Sequence, residues 1–395
     1  MEIADIMNPR IISLNQSSTL KITALTKKLE QEGKDVINFA AGEPDFDTPS
    51  FIKDAAKQAI DNGFTKYTPS RGTIQLREKI AEKLQQENNI PATFKNIIVT
   101  AGAKYAVFVA IFSLINQGDE VLLPSPYWVS YPEIIKLAGG VLRVFPTKST
   151  DDFKIKAEDL EKAITPKTKV LILNYPSNPT GVTYSYQEIE AIYKVVKDKG
   201  IFVVSDEIYE KLIYDGRSHI SFASFPGAAD FTVTINGFSK TYSMTGWRIG
   251  YLVAAEKLIN EISKMIDHTT SCTSSISQKG AQAALDNKEW QEFIKKEFQQ
   301  RRDCLWEGLN SCPKIKPIKS QGTFYMFCDI RDTGLSSMDF ASGLLEKHLV
   351  SCIPADSFGS QGFIRVSFAT SIDSIKKGII RIKEFITKTN GERLL

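Results

Sequence analysis

The chain has 395 residues, of which 42% are hydrophobic and 24% are charged, and its formal net charge at pH 7 is +3. This composition is typical of a globular protein that is long enough for two domains, each with its own core. Lysine and arginine are mixed with aspartate and glutamate along the whole length. The chain therefore has no basic block of the kind that would predict a nucleic-acid or membrane-surface partner.

Cysteine and histidine usage gives no sign of disulfide bonds or of a metal centre. The five cysteines lie in the last third of the chain without a C-x-x-C pair, which predicts reduced thiols. The three histidines lack H-x-x-x-H spacing, so neither a metal site nor a histidine base is indicated. The first ten residues have an early acid and no apolar core, and no later run of about 18 residues is apolar. We therefore expect a cytoplasmic protein without an anchor or a metal ion.

The predicted elements begin with a helix over Thr19–Gln31. From Asp47 to about Asn287, short apolar runs alternate with helix-like segments such as Tyr105–Asn116 and Gln187–Lys199. The runs that predict strands are Ile97–Thr100, Glu120–Leu123, Lys169–Asn174, Ile201–Asp206, Thr232–Asn236 and Arg248–Val253. Because runs this apolar favour burial on both faces, we expect an α/β domain with a largely parallel sheet.

After about Lys288 the pattern changes to that of a smaller α+β unit. Its predicted elements are a long amphipathic helix over Glu289–Leu309, alternating segments at Phe324–Cys328 and Phe363–Phe368, and a last helix near Ile372–Lys388. We expect the N-terminal segment to pack with this unit. The large domain would then span residues 47–287, and a discontinuous small domain would combine residues 1–46 with residues 288–395.

Polar motifs follow four of the predicted strands. They are Thr100–Lys104, Asn174–Gly181, Asp206–Tyr209 and Asn236–Lys240. In an open parallel sheet, ligands bind beyond the carboxyl ends of the strands. The sequence therefore predicts a binding site where these four motifs converge.

The residue types in these motifs suit an aldehyde cofactor that carries a phosphate. Such a cofactor needs an amine for an imine, a cation and small residues for its phosphate, and a carboxylate that keeps a ring nitrogen protonated. Lys240 offers the amine, while Arg248 and Ser239 offer phosphate donors. The backbone N–H groups of Ala103 and Lys104, at a predicted helix start, can approach the same phosphate. The alternative, a solvated face for Lys240 and Arg248, fits poorly with the apolar residues around them.

Asp206 ends an apolar strand, where an isolated carboxylate is costly unless a cation pairs with it. A pyridinium N–H would serve, and Tyr209 can reach the phenolic oxygen of the same ring. The amide of Asn178 could point toward that oxygen and toward a substrate carboxylate. Each of these residues also has an alternative role without a ligand. Asp206 could be a helix N-cap, Asn178 an ordinary turn residue, and Thr100–Lys104 a close strand-to-helix turn.

Seven motifs spread over almost the whole chain closely resemble those of a known family. They are A-G-E-P-D-F-D-T-P (Ala41–Pro49), K-Y-T-P (Lys66–Pro69), P-Y-W-V-S-Y-P (Pro126–Pro132), N-P-T-G (Asn178–Gly181), S-D-E-I-Y (Ser205–Tyr209), the lysine signature (Gly237–Arg248) and I-R-V-S-F-A (Ile364–Ala369). The family is the class I aminotransferases of pyridoxal phosphate fold type I, in particular the bacterial aspartate aminotransferase branch. The resemblance implies a seven-stranded, mostly parallel sheet flanked by helices, plus a smaller α+β domain.

The resemblance also implies pyridoxal 5′-phosphate as the cofactor, with Lys240 as the catalytic residue that joins it as an imine. The residues implied to surround the cofactor are Ala103, Lys104, Trp128, Asn178, Asp206, Tyr209, Ser239, Arg248 and, from the neighbouring subunit of a homodimer, Tyr67. Among them, Asp206 would pair with the ring nitrogen, and Tyr209 and Asn178 would bond to the 3-oxygen. Trp128 would stack on the ring.

For the substrate, the resemblance implies contacts with Gly42, Lys104, Trp128, Asn178 and Arg365. Arg365 would clamp the α-carboxylate, and the backbone of Gly42 would contact it. Lys104 matches the position that meets the distal carboxylate of a dicarboxylic substrate, although an exposed helix-start lysine is the alternative. This match favours exchange between aspartate and 2-oxoglutarate.

The expected reaction is a ping-pong transamination of an amino acid and a 2-oxoacid. Alternatives on the same fold are an alanine, aromatic or prephenate aminotransferase and a C–S lyase. Asn15 stands where branch members that use prephenate usually have a lysine, which speaks against prephenate. Ala103 replaces a frequent glycine, a change that backbone donation should tolerate. A regulator built on the same fold would need an added DNA-binding module, for which the chain leaves little room.

Overall fold

The computed structural model describes residues 6–15 and 19–389. Its helices are α1 (Pro9–Ile12), α2 (Thr19–Gln31), α3 (Ser50–Asp61), α4 (Ile74–Asn88), α5 (Ala103–Leu114), α6 (Ser130–Leu137), α7 (Ala157–Ala163), α8 (Tyr186–Lys199), α9 (Glu256–Asp267), α10 (Ser275–Leu285), α11 (Lys288–Asn310), α12 (Ser337–His348) and α13 (Ile372–Thr389). Its strands are β1 (Ile37–Asn38), β2 (Ile97–Thr100), β3 (Glu120–Ser125), β4 (Val141–Pro146), β5 (Thr168–Asn174), β6 (Phe202–Asp206), β7 (Thr232–Gly237), β8 (Gly250–Val253), β9 (Lys316–Ile318), β10 (Tyr325–Asp329), β11 (Val350–Ser351), β12 (Ile353–Pro354) and β13 (Phe363–Ser367).

Seven strands form one sheet in the order β2-β8-β7-β6-β5-β3-β4. The pairs among β7, β6, β5, β3 and β4 are parallel, and β8 runs antiparallel to both of its neighbours. The α/β fold with a mostly parallel, seven-stranded sheet is therefore confirmed.

Burial on both faces explains why the central strands are so apolar. Val204 of β6 packs on the side of the sheet covered by α5, α6 and α9, whereas its neighbour Val203 packs on the side of α8. Successive side chains of a strand point to opposite faces, so a strand covered on both sides has no polar alternation.

The edge strand β4 is absent from the sequence prediction. Val141 and Val144 of this strand are 48% and 44% exposed, and Arg143 lies between them. β4 is largely exposed, so its pattern resembles a loop, whereas β2 at the opposite edge of the sheet is fully buried and was predicted. The predicted strand Arg248–Val253 also began too early, because β8 starts at Gly250.

A second core joins the N-terminal segment to the C-terminal third. β1 pairs in parallel with β11, where Ile37 lies opposite Val350. A separate four-stranded sheet has the order β12-β13-β10-β9. Ile22 and Phe39 pack in the same cluster as Phe298 of α11. The domain boundaries at residues 46/47 and 287/288 stay a prediction.

None of the helices in the described part of the chain combines the length and the apolar character that crossing a membrane requires.

Candidate active site

A cavity of about 480 Å³ lies beyond the carboxyl ends of β2, β5, β6 and β7. Of the predicted site residues, those that line it are Gly42, Ala103, Lys104, Trp128, Asn178, Asp206, Tyr209, Ser239, Lys240, Arg248 and Arg365. Tyr67 is the exception, since it does not line the cavity and its side chain is 91% exposed. The four strand-end motifs do converge, as the parallel topology requires.

Lys240 lies in the turn after β7, and its Nζ donates a hydrogen bond of 2.7 Å to the carbonyl of Gly42. Burial lowers the pKa of Lys240 to about 8. The carboxylate of Glu43 acts in the opposite direction, and the positive charges of Arg365 and Arg248 add to the lowering. A lysine with such a pKa is partly neutral near physiological pH and can attack a carbonyl carbon.

Asp206 ends β6 and is 4% exposed. Its Oδ2 accepts a hydrogen bond of 2.7 Å from the phenol of Tyr131, and its Oδ1 accepts one of 3.3 Å from the backbone N–H of Ile208. Burial raises the pKa of Asp206 to about 6, although both hydrogen bonds act to lower it. No cationic side chain in the described part of the chain forms an ion pair with this carboxylate. A buried acid without a cation suits a ligand that brings a protonated ring nitrogen.

Arg365 projects from β13 and is almost completely buried. Its Nη1 donates to Oδ1 of Asn178 at 3.0 Å, and its Nη2 donates to the carbonyl of Ala40 at 3.2 Å. The buried Nε has no hydrogen-bond partner among the described residues. The guanidinium lies 4.1 Å from the ring centroid of Tyr325. A buried fork with an unsatisfied donor suits a planar carboxylate.

The N-terminus of α5 forms an uncapped, glycine-lined cradle. Gly102 precedes the helix with φ +87°, and no side chain caps the first turn. A Cβ on Gly102 would lie 2.6 Å from Nη2 of Arg248, and one on Gly250 would lie 2.6 Å from the backbone nitrogen of Ala103. The backbone and one guanidinium therefore meet at a helix start, which is a favourable place for a phosphate.

Lys104 and Trp128 lie side by side at the cavity wall. The Nζ of Lys104 is 5.0 Å from the ring centroid of Trp128, within range of a cation–π contact. Burial, followed by the charge of Arg248, lowers the pKa of Lys104. The edge of Trp128 meets Tyr131 with ring centroids 5.2 Å apart.

Five polar residues that line the cavity are absent from the predicted site: Thr23, Tyr131, Asn174, Thr245 and Tyr325. Tyr131 bonds to Asp206, and the phenols of Tyr209 and Tyr325 are 3.1 Å apart. The amide of Asn174 donates to the backbone carbonyl of Asp206 at 3.0 Å and accepts from the backbone N–H of Asn178 at 2.9 Å. Asn174 stood at a strand end and Tyr131 stood in a quoted motif, so both had a positional signal. Tyr325 comes from the other sheet and had none.

Outside the cavity, ligand atoms of Glu207, Glu210 and His219 lie within 4.8 Å of one another. Glu207 already accepts hydrogen bonds from Ser205 and His219, each at 2.7 Å. Glu210 forms an ion pair with Lys83. These partners account for the buried charges, and the absence of a metal centre stays a prediction.

The family model described as aminotransferase class I and II matches residues 34–382. The chain belongs to this family. The aminotransferase is 43% identical to the aspartate aminotransferase of Bacillus sp. strain YM-2, over 97% of this chain and 99% of that protein. It is 42% identical to a probable aspartate/prephenate aminotransferase of Aquifex aeolicus, over 95% of this chain and 97% of that protein. It also matches a Thermus thermophilus aspartate aminotransferase structure with maleate, with a TM-score of 0.92, 36% identity, and coverage of 96% and 99% of the two chains.

Aminotransferases of this family depend on pyridoxal 5′-phosphate, and the residues present fit that group. The unpaired carboxylate of Asp206 suits a protonated pyridine nitrogen, and the uncapped start of α5 suits a phosphate. Lys240 offers an amine of lowered pKa in the same cavity. The chain is therefore an enzyme that transfers an amino group between amino acids and 2-oxoacids.

Proposed function

We propose that this aminotransferase converts L-aspartate and 2-oxoglutarate to oxaloacetate and L-glutamate by a ping-pong reaction. The observation that carries the proposal is the set of cations in the cavity. Lys104 and Arg365 line it in addition to Lys240 and Arg248, which the cofactor itself requires. A dicarboxylic substrate needs two separate cationic partners, whereas an apolar amino acid needs one.

Arg365 and Lys104 divide the binding of such a substrate. Arg365 holds the α-carboxylate with its buried fork, assisted by the backbone of Gly42 and the amide of Asn178. Lys104 meets the distal carboxylate and has the wall of Trp128 beside it. Relatives named aspartate aminotransferase support aspartate as the substrate.

Lys240 holds and moves the proton in the chemical step. Pyridoxal 5′-phosphate, when bound, supplies an electron sink for the electrons left by the departing Cα proton. The amine of Lys240 accepts that proton and returns it to the opposite end of the reacting unit. Asp206 keeps the ring nitrogen protonated, and Tyr209 and Asn178 orient the ring oxygen. Ala103, Ser239 and Arg248 surround the phosphate.

We place two active sites at the interface of a homodimer. Tyr67 is compatible with this arrangement, because its side chain is 91% exposed and does not line the cavity of its own chain. In the dimer its phenol would reach the cofactor phosphate of the partner. A cytoplasmic location, expected from the sequence, stays a prediction.

Prephenate is not favoured as a second substrate, although one relative is named a probable aspartate/prephenate aminotransferase. Asn15 offers a neutral amide, and its backbone N–H and Nδ2 donate to the carboxylate of Glu133 at 3.1 and 3.4 Å. An amide held in this way supplies no charge to a second carboxylate.

A comparison of amino donors tests the proposal. The purified enzyme would be assayed with 2-oxoglutarate and aspartate, alanine, phenylalanine or cystathionine. We expect the highest kcat/KM with aspartate. A higher value with alanine or phenylalanine would make the aspartate assignment wrong, and release of ammonia and pyruvate from cystathionine would indicate a C–S lyase.

A further inference from the structure

Two chain segments meet beside Lys240, and a side-chain hydrogen bond joins them. The first is residues 41–49, and the second is the turn of residues 243–248. The hydroxyl of Thr245 donates to Oε2 of Glu43 at 2.6 Å. Thr245 lines the cavity, whereas Glu43 lies outside it and is exposed. The bond therefore connects the wall of the active site to a segment that reaches it from the other core.

The turn that carries Thr245 also carries Arg248. Nη1 of Arg248 donates to the backbone carbonyl of Thr245 at 2.8 Å. Nη2 of the same guanidinium lies over Gly102 at the start of α5, so closely that a Cβ there would be 2.6 Å away. The orientation of Arg248 thus depends on where the Thr245 carbonyl is held.

The backbone of this turn is strained. Ser243 has φ +52° and Arg248 has φ +49°, both in the left-handed region that residues with a Cβ rarely adopt. Such a turn keeps its shape only when bonds from outside hold it. Thr48 supplies one, since its hydroxyl donates to the carbonyl of Ser243 at 2.6 Å. The Glu43–Thr245 bond supplies another, at a residue within the turn that lines the cavity.

A carboxylate close to a phosphate site is unfavourable on charge alone, because like charges repel. Glu43 therefore has no direct use as a phosphate ligand. Thr245 is the side chain that hydrogen-bonds to its carboxylate among the described residues. Besides raising the pKa of Lys240, this carboxylate holds Thr245.

We propose that Glu43 and Thr245 are positioning residues that fix Arg248 for the cofactor phosphate. The inference rests on the proposed role of Arg248 and deepens it. Neither residue needs to touch the phosphate, since both act through the carbonyl of Thr245. Removing the bond should weaken the binding of a phosphorylated ligand and leave a ligand without a phosphate unaffected.

The test titrates the full-length, cofactor-free protein with pyridoxal 5′-phosphate and, separately, with pyridoxal. Thr245→Val and Glu43→Ala should each raise the Kd for pyridoxal 5′-phosphate, relative to the Kd for pyridoxal, about fivefold, as expected for one lost hydrogen bond. Thr245→Val should leave the Kd for pyridoxal unchanged. Glu43→Ala also lowers the pKa of Lys240, which affects both ligands alike, so its effect is judged by the ratio of the two Kd values. The double variant should be no weaker than either single variant, because the two residues share one interaction.

Two further variants separate positioning from general damage. Thr245→Ser keeps the hydroxyl and should restore wild-type affinity. Thr387→Val is the matched control, since Thr387 is exposed on α13 and its hydroxyl donates to the carbonyl of Lys383 at 2.9 Å. It should leave both Kd values unchanged. If Thr245→Val weakened both ligands equally, or neither, the positioning role would be wrong.

Arg248→Ala distinguishes failure of this inference from failure of the proposed function. If Arg248→Ala weakens only the phosphorylated ligand while Thr245→Val changes nothing, the inference is overturned and the role of Arg248 stands. If Arg248→Ala also leaves the preference for the phosphorylated ligand intact, the phosphate role of Arg248 is wrong and the inference falls with it.

Discussion

The phenol of Tyr131 donates a hydrogen bond of 2.7 Å to the carboxylate of Asp206 in the floor of the cavity. Tyr131 lies on α6, the helix that follows β3 in the chain. Asp206 ends β6, which lies two strands away from β3 in the sheet. Burial raises the pKa of Asp206 to about 6, against the effect of this bond. Without its cofactor, the protein therefore keeps a carboxylate that is costly to ionise.

The first prediction concerns the stability of the cofactor-free protein. A carboxyl group with a folded pKa of about 6 and an unfolded pKa of 3.8 contributes stability that is complete below pH 3.8 and is lost as the pH rises through 6. Asp206→Asn has no ionisable carboxyl group at this position, so the variant should not lose stability in this way as the pH rises. We expect the variant to be more stable than wild type at pH 7.5, by up to about 3 kcal/mol, and the difference to shrink toward pH 4. Urea unfolding at several pH values measures it, and a wild type that gains on the variant as the pH rises would contradict the assignment.

The second prediction concerns the phenol of Tyr131. Tyr131→Phe removes a bond that favours the ionised carboxylate, so the pKa of Asp206 should rise further. Cofactor affinity requires the ionised acid, and its rise with pH should therefore shift to higher pH in the variant. Titrations with pyridoxal 5′-phosphate between pH 5 and 8 measure the shift. Tyr184→Phe, at a buried tyrosine outside the cavity, is the control and should leave the midpoint in place.

The third prediction concerns substrate choice. Lys104→Ala should lower kcat/KM for aspartate about 10- to 100-fold, because a charge-assisted hydrogen bond to the distal carboxylate is lost. Alanine has no distal carboxylate, so its kcat/KM should change little. Lys136→Ala serves as a control, since Lys136 pairs with Glu133 outside the cavity. Equal losses with aspartate and alanine would remove Lys104 from substrate recognition.

The fourth prediction concerns the shared active sites. Tyr67→Ala should weaken binding of pyridoxal 5′-phosphate, and Lys240→Ala should abolish turnover. At a cofactor concentration too low to load Tyr67→Ala, a mixture of the two variants should regain, after subunit exchange, about a quarter of wild-type activity, because half of the dimers would hold one intact site. Each variant exchanged with itself should regain nothing. No gain in the mixture would argue that each site is built from one chain.

The parts of the fold that the sequence reveals are those in which local pattern and burial agree. The strand predicted at Ile97–Thr100 coincides with β2, and the helix predicted at Thr19–Gln31 coincides with α2. β2 and β4 are both edge strands, but β2 is buried whereas β4 is largely exposed, and this exposure removes the apolar signal of β4. An apolar sequence pattern therefore indicates burial by other elements as much as it indicates secondary structure.

The residues of the site likewise fall into those that the sequence could predict and those that it could not. Residues at strand ends, such as Asp206 and Lys240, could be placed because parallel topology brings those ends together. Tyr325 could not, because it approaches Tyr209 across the contact between two separate sheets. The Glu43–Thr245 bond joins residues 202 positions apart, and no local spacing predicts such a contact.

A half-reaction tests the central claim most directly. The enzyme loaded with pyridoxal 5′-phosphate would be mixed with L-aspartate in the absence of any 2-oxoacid, and oxaloacetate would be measured. A ping-pong aminotransferase should release about one equivalent per active site and then stop, and added 2-oxoglutarate should yield about one equivalent of glutamate. Lys240→Ala should give neither product. Continuous release of product without a 2-oxoacid, or no oxaloacetate at all, would contradict the account.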